Sequence, residues 1–206
     1  MNDGLRQLVK LAALQPLTPT CDHFYFLRHG QTDCNALRIF QAPDEPLSAL
    51  GLQQAARAAE LLAGEPIRSI VSSNVNRALT TAHTVSTPHG MAPVVFDGLR
   101  ERNFGALIGT SSADIDWACE PEGGETLPEF VARKRSALEQ ALAHPAPVLI
   151  VAHGGSLYVL AALLGVPIDM SVLGNAQPLR FERSGSGPAW CVKSLLQAVD
   201  GGAAVA

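Results

Sequence analysis

The chain has 206 residues, 47% of them hydrophobic and 17% charged, with aromatics at 5% and a formal net charge of -4. That length suits one domain, or one domain with a small cap, and its apolar content supplies a full core of Leu, Val, Ile and Ala, which excludes extensive disorder. The mildly acidic balance lacks the basic footprint of nucleic-acid binding, and no apolar run approaches the roughly 20 residues that span a bilayer.

Residues 1–22 are expected to be an N-terminal extension carrying a short amphipathic helix. Leu5, Leu8, Val9, Ala12 and Ala13 fall near helical spacing, and Pro16 and Pro19 end it. Lys10 interrupts the short apolar stretch, so a signal peptide is not expected. Simple packing of this helix on the domain is favoured over a subunit contact. Residues 23–200 are expected to form a single domain.

Residues 23–27 (HFYFL) are a compact apolar run, hence a buried strand, which stops at Arg28-His29-Gly30. After a loop with Pro43 and Pro46, Ser48 is a helix cap, and Leu52, Ala55, Ala59 and Leu62 mark the inward face of a helix running to about Ala63. Residues 67–72 form the second strand. Ser73 or Asn74 can cap a helix over 75–86, and 93–96 make a third strand. Residues 98–113 have the pattern of an extended loop. Thr126-Leu127-Pro128-Glu129 is a capping box for a helix reaching about Ala143.

Residues 148–152 (VLIVA) are five apolar residues in a row, the mark of a strand buried on both faces. His153-Gly154-Gly155 follow, then a helix over 156–164. Two late strands, 179–183 and 189–196, flank a Gly-Ser-Gly-Pro turn, and 201–206 form a loose tail. Alternating strands and helices predict an α/β fold, a three-layer α/β/α sandwich with a mainly parallel sheet. Ligands bind beyond the carboxyl ends of strands in such folds. Arg28-His29-Gly30, Ser72-Ser73 and His153-Gly154-Gly155 all stand at those ends, so three distant segments converge on one sheet edge.

The residue types there suit phosphoryl transfer, which needs an anion cradle, a nucleophile and a proton for the leaving oxygen. Arg28 and Arg77 offer planar forks of donors, and Asn35 an amide. Gly30 and Gly154 permit close backbone approach, and a helix start after His153 favours anions. His29 or His153 can attack phosphorus if one ring nitrogen is free and the other is tied as a donor, and nearby arginines favour the neutral ring. Glu101, in Leu99-Arg100-Glu101-Arg102, is the candidate proton donor; a bound phosphate favours its protonated form, while Arg100 and Arg102 oppose that.

These residues resemble the histidine phosphatase superfamily, in its phosphoglycerate-mutase-like branch. The segment 26–35 (FLRHGQTDCN) is similar to the family signature, 44–51 (DEPLSALG) to its next block, and 72–82 (SSNVNRALTTA) to its second arginine block. Residues 99–105, 122–126 (EGGET) and 151–155 (VAHGG) are similar to the acid, loop and second-histidine motifs. The resemblance covers about 24–165. It implies that His29 becomes phosphohistidine, that Arg28, Asn35, Arg77 and His153 bind the phosphoryl group with Gly154 lending backbone, and that Glu101 is the proton donor; Gly30 and Thr32 are expected among the phosphate-binding residues as well. It implies no metal and no cofactor. The partner expected is a small phosphorylated metabolite; charge and hydropathy give no reason to expect nucleic acid or membrane, and the chain is expected as monomer or homodimer.

Two departures stand out. Cys34 replaces a common aromatic, and Gly124 extends the loop motif. The stretch between Glu101 and His153 is short compared with the family's mutases, which favours a phosphatase over a mutase; a non-catalytic phosphate-binding module is the third reading. Cys21, Cys34, Cys119 and Cys191 lie far apart without a CxxC pair, which points to reduced thiols and a cytoplasmic location. Phe40, Phe104 and Trp117 are candidates for an apolar wall, with core packing as their ordinary fate. His83 and His89, six apart, do not have zinc-ligand spacing on a helix, and His23 and His144 have no evident partner. Glu122, Glu125 and Glu129 have the pattern of a loop and an acidic helix start.

Overall fold

The computed structural model describes residues 3–185 and 189–196. Among these, six strands form one sheet: β1 (His23–Arg28), β2 (Ser69–Ser73), β3 (Val94–Phe96), β4 (Val148–Ala152), β5 (Pro178–Arg183) and β6 (Trp190–Ser194). Their spatial order is β3-β2-β4-β1-β5-β6. The first four run parallel, while β5 pairs antiparallel with β1 and β6 antiparallel with β5. The α-helices are α1 (Asp3–Ala13), α2 (Asp33–Leu37), α3 (Ala49–Leu62), α4 (Asn76–Ser86), α5 (Leu127–Leu142) and α6 (Gly154–Leu163).

Strand periodicity divides the core into two halves. Phe24 and Phe26 of β1, with Val148, Ile150 and Ala152 of β4, pack against α1, α5 and α6. Tyr25, Leu27, Leu149 and Val151 face the other way, onto Ala58 and Leu62 of α3 and Ala82 and Val85 of α4. Side chains alternate faces along a strand, so a run without polar residues needs cover on both sides, and helices supply it. The expected three-layer α/β/α arrangement with a mostly parallel sheet is what these contacts describe.

Several local expectations shift. Ser48 does cap α3, accepting from the Gly51 N–H at 3.1 Å. The inward face, however, runs Gly51, Ala55, Ala58, Leu62, and Leu52 is 51% exposed. The cause is close packing: a Cβ on Gly51 would sit 2.0 Å from the Gln31 carbonyl oxygen, so the helix turns its smallest residues toward the loop after β1. At α4 the cap residue is Val75, with no side-chain cap bond, while Ser73 Oγ accepts from the Val75 N–H and Asn74 reaches Asp97. The unforeseen α2 is a capping box, Thr32 with Asn35. Residues 98–113 contain a 3-10 turn at Gly105–Leu107 and a bridge between Ile39 and Ser111. The Gly-Ser-Gly-Pro turn, beyond Gly185, and the 201–206 tail lie outside the described residues.

Leu8 and Ala12 of α1 are fully buried and belong to the same core cluster as α5 and α6, whereas Ala13 is exposed. Leu17 N–H bonds the Leu163 carbonyl at 2.9 Å behind it. Leu8→Ala should therefore lower unfolding free energy by about 3 kcal/mol, as for other fully buried leucines, measured by urea denaturation; a loss below ~1 kcal/mol would show that this helix is peripheral to the core.

Candidate active site

Register places the site. Arg28 of β1 pairs with Ala152 of β4, and Ser72 of β2 with Val151, so His29, Ser73 and His153 emerge side by side at the carboxyl edge. A cavity of about 380 Å³ opens there. Arg28, His29, Asn35, Arg77, Glu101 and Gly154 line it.

His29 is 3% exposed and held from both sides. Its Nδ1 lies 2.7 Å from the Gly30 carbonyl oxygen, which can only accept, so Nδ1 carries the proton. Arg77 Nε–H, which can only donate, points at Nε2 from 3.3 Å. The two contacts independently assign the same tautomer, with a bare lone pair on Nε2. Arg77 is itself fixed, since its Nη1 donates to the Ala42 carbonyl at 3.0 Å. Thr81, one turn along α4, donates to the Arg77 carbonyl at 2.7 Å and accepts the Gly30 N–H at 3.1 Å, tying the arginine helix to the histidine loop.

His153 is fully buried, its ring centroid 5.2 Å from that of His29. Its Nε2 lies 2.9 Å from Ser73 Oγ, and its Nδ1 is buried without a partner. Burial, then Arg77 and Arg28, hold the His29 imidazolium form well below the ordinary range; burial, then Arg77 and His29, do the same for His153. Burial outranks the arginine charges that the residue pattern alone suggests as the cause. Both rings are thus neutral at pH 7.

The sign of the linkage follows from these downward shifts. Each histidine binds a proton more readily unfolded than folded, so the neutral rings contribute full stability above their ordinary value of 6.5. That contribution is lost as pH falls below 6.5 toward the folded values. Urea titrations should show unfolding free energy falling from pH 7 to 5, with the fall reduced in His153→Gln. An unchanged slope in that variant would contradict the burial argument.

Arg28 donates from Nη1 to the Leu173 carbonyl at 2.8 Å, and its buried Nε has no partner. A Cβ on Gly154 would stand 3.6 Å from that Nε. Asn35 Oδ1 accepts from Thr32 N–H and from Asn175 Nδ2, both at 3.3 Å, and Asn175 also donates to the His29 carbonyl at 3.0 Å. Glu101 is held by two backbone donors: Oε1 accepts from Arg102 N–H at 3.0 Å and Oε2 from Gly155 N–H at 2.9 Å.

Three expected residues stand behind the cavity rather than in its lining: His153, which is fully buried beside His29, Thr32 and Gly30. The Thr32 hydroxyl donates to Gln41 Oε1 and caps α2, so its place is in positioning Asn35. The Gly30 N–H is taken by Thr81, and a Cβ there would meet the Gly51 carbonyl oxygen at 2.4 Å, so this glycine serves close packing. Arg102, expected to act as a charge near Glu101, instead donates to the carbonyls of Trp117, Cys119 and Glu125 at 2.5 to 2.9 Å. Glu125 forms an ion pair with Arg133 at 2.6 Å and does not line the cavity. The fully buried Lys134 donates to the Leu99 carbonyl at 2.5 Å, two residues before Glu101. Phe40 packs on Phe104 at 4.5 Å, and Phe104 on Trp117 at 5.7 Å; all three line the cavity, so wall and packing roles coincide. Cys34 lines it too, and burial followed by Glu45 pushes its thiol up to about 11, which disfavours the reactive thiolate. His23, His83, His89 and His144 lie away from the cavity.

The family model for the histidine phosphatase superfamily, branch 1, matches residues 24–190. The chain belongs to this superfamily. It is 35% identical over 180 residues to the glucosyl-3-phosphoglycerate phosphatase of Mycolicibacterium vanbaalenii, covering 73% of this chain and 79% of that protein. It is 34% identical over 167 residues to a Yersinia pestis protein named "Probable phosphoglycerate mutase GpmB", covering 69% and 75%. A solved mycobacterial glucosyl-3-phosphoglycerate phosphatase complexed with VO3 superposes with a TM-score of 0.68 at 30% identity, over 84% of this chain and 97% of that one. No helix among the described residues is long and apolar enough to cross a membrane.

Proposed function

We propose that this protein is a phosphatase that hydrolyses a small phosphomonoester through a phosphohistidine on His29, without a metal. The observation that carries the proposal is the two-sided hold on His29, which leaves Nε2 unprotonated on a ring that lines the cavity. In the first step Nε2 attacks phosphorus, the bond to the ester oxygen breaks, and Glu101 protonates the departing alkoxide. In the second step water attacks phosphorus as Glu101 takes its proton, the phosphorus–nitrogen bond breaks with its electron pair returning to Nε2, and inorganic phosphate leaves. Arg28, Arg77, Asn35 and His153 surround the phosphoryl oxygens, and Arg77 Nε trades its contact with Nε2 for one with phosphate.

Glucosyl-3-phosphoglycerate, named in the curated relatives, heads the substrate screen. Transfer to a second hydroxyl, the reading favoured by the mutase-named relative, is tested with phosphoglycerate in the same assays. The separated, unpaired cysteines agree with a cytoplasmic setting. Phosphate release from p-nitrophenyl phosphate in the presence of a chelator tests the proposal. Activity that persists in chelator and vanishes in His29→Ala supports it; activity abolished by chelator in the wild type sinks the metal-free route.

A further inference from the structure

Helix α1 lies outside the residues matched by the family model and is not among the segments lining the cavity. Its first turn nevertheless rests on the cavity wall. Gly4 is buried, and a Cβ built on it would stand 2.4 Å from Ala118 N, 2.4 Å from Asp116 Oδ1 and 2.6 Å from Trp117 N. Two of these three atoms are backbone, so rotation of a side chain cannot relieve the clash. Only a residue without Cβ lets the helix seat here.

The wall segment is held at its other points as well. Asp116 Oδ1 accepts the Ala118 N–H at 2.9 Å, and the Trp117 carbonyl accepts from Arg102 Nη1 at 2.5 Å. From this anchored backbone the indole reaches the reaction centre. A Cβ on Gly155 would lie 2.9 Å from Trp117 Cη2 and 2.5 Å from Glu101 Oε1, so ring, glycine and carboxylate meet at one point. The rest of α1 is clamped in the core by Leu8 and Ala12, and Trp117 and Ala118 pack on that same cluster.

We propose that α1 is a strut for the leaving-group wall, and that Gly4 is a positioning residue acting through Trp117. The phosphoryl cradle comes from the ends of β1 and β4, from α2 and from the starts of α4 and α6. The strut therefore affects how the organic part of the substrate is held and leaves the phosphoryl chemistry alone. This inference rests on the phosphatase reading for its kinetic consequence, but its structural consequence stands apart from it.

The test introduces Gly4→Val into the full chain and into the Trp117→Ala variant, with p-nitrophenyl phosphate as the probe. The KM should rise about fivefold in the wild-type background with kcat within about twofold, because ground-state holding is lost and the nucleophile is untouched. In the Trp117→Ala background the same substitution should change KM by less than about twofold, since coupled positions are not additive. Equal factors in both backgrounds, or no change in either, would overturn the strut.

A second readout needs no turnover. The chain has two tryptophans, so Trp190→Phe leaves Trp117 as the sole indole, excited selectively beyond the tyrosine absorption band. Acrylamide quenching of that indole should increase when Gly4→Val is added; unchanged quenching would overturn the inference. An inactive wild type would sink the phosphatase reading while this measurement still decides the strut. If Gly4→Val fails to fold, Gly4→Ala adds the clashing Cβ alone and replaces it in both experiments.

Discussion

Turnover of p-nitrophenyl phosphate should fall by about four orders of magnitude or more when His29 is replaced by asparagine, as for enzymes that lose a covalent nucleophile. Asparagine keeps a polar group near the Gly30 carbonyl but has no basic lone pair for phosphorus. The neighbours do not compensate. His153 is fully buried and does not line the cavity, and its Nε2 meets Ser73, so it is not placed to replace the nucleophile. Brief reaction with labelled substrate and quenching in alkali should leave label on the wild-type protein that acid removes, the behaviour of a phosphorus–nitrogen bond. The asparagine variant should carry none. Label that persists in His29→Asn would move the nucleophile elsewhere. Full activity without any protein-bound label would favour direct attack by water and end the two-step scheme.

His29 is legible in the amino-acid sequence because of the residues that precede it. A run such as Phe24 to Leu27 has no fate but the interior, so the first polar residues after it must appear at a sheet edge. The same logic exposes His153 after residues 148–152, and parallel pairing brings the two histidine rings to a centroid separation of 5.2 Å. What stays hidden depends on contacts between distant segments. Asn175 reaches back 140 positions to Asn35, and Arg102 gathers carbonyls from three residues of a later loop. Neither has a periodic signature. Thr81 is closer to being legible, because it lies one helical turn from Arg77, where a hydroxyl commonly bonds the carbonyl four residues back.

The misassigned face of α3 has a different cause. Hydrophobicity alone places Leu52 inward, but the helix approaches the loop after β1 so closely that only Gly51 and small alanines fit. Shape outweighs apolarity at that seam. Thr32 and Gly30 show the same effect at the site itself, where backbone proximity assigns their polar groups to α2 and Thr81 before any ligand arrives.

Glu101→Gln should separate leaving-group protonation from simple positioning. With an alkyl phosphate, whose alkoxide cannot depart unprotonated, kcat/KM should fall by about a thousandfold, within the range for a lost general acid. With p-nitrophenyl phosphate the first step should be nearly spared, because the departing phenolate is a stable anion. The second step still lacks its base, so p-nitrophenolate should appear as one rapid equivalent per enzyme, followed by slow turnover. Geometry makes the comparison between substrates necessary. Both carboxylate oxygens accept backbone N–H bonds, from Arg102 and Gly155, and the amide of glutamine turns a donor toward one of them. Some displacement of the loop is therefore built into the variant, but displacement weakens both substrates alike. In the wild type each oxygen keeps a second lone pair, so a proton for the leaving group can reside there while the N–H bond still aims it. Equal losses on both substrates, with no burst, would mean that Glu101 only anchors the Arg102 and Gly155 backbone and that the proton comes from another group.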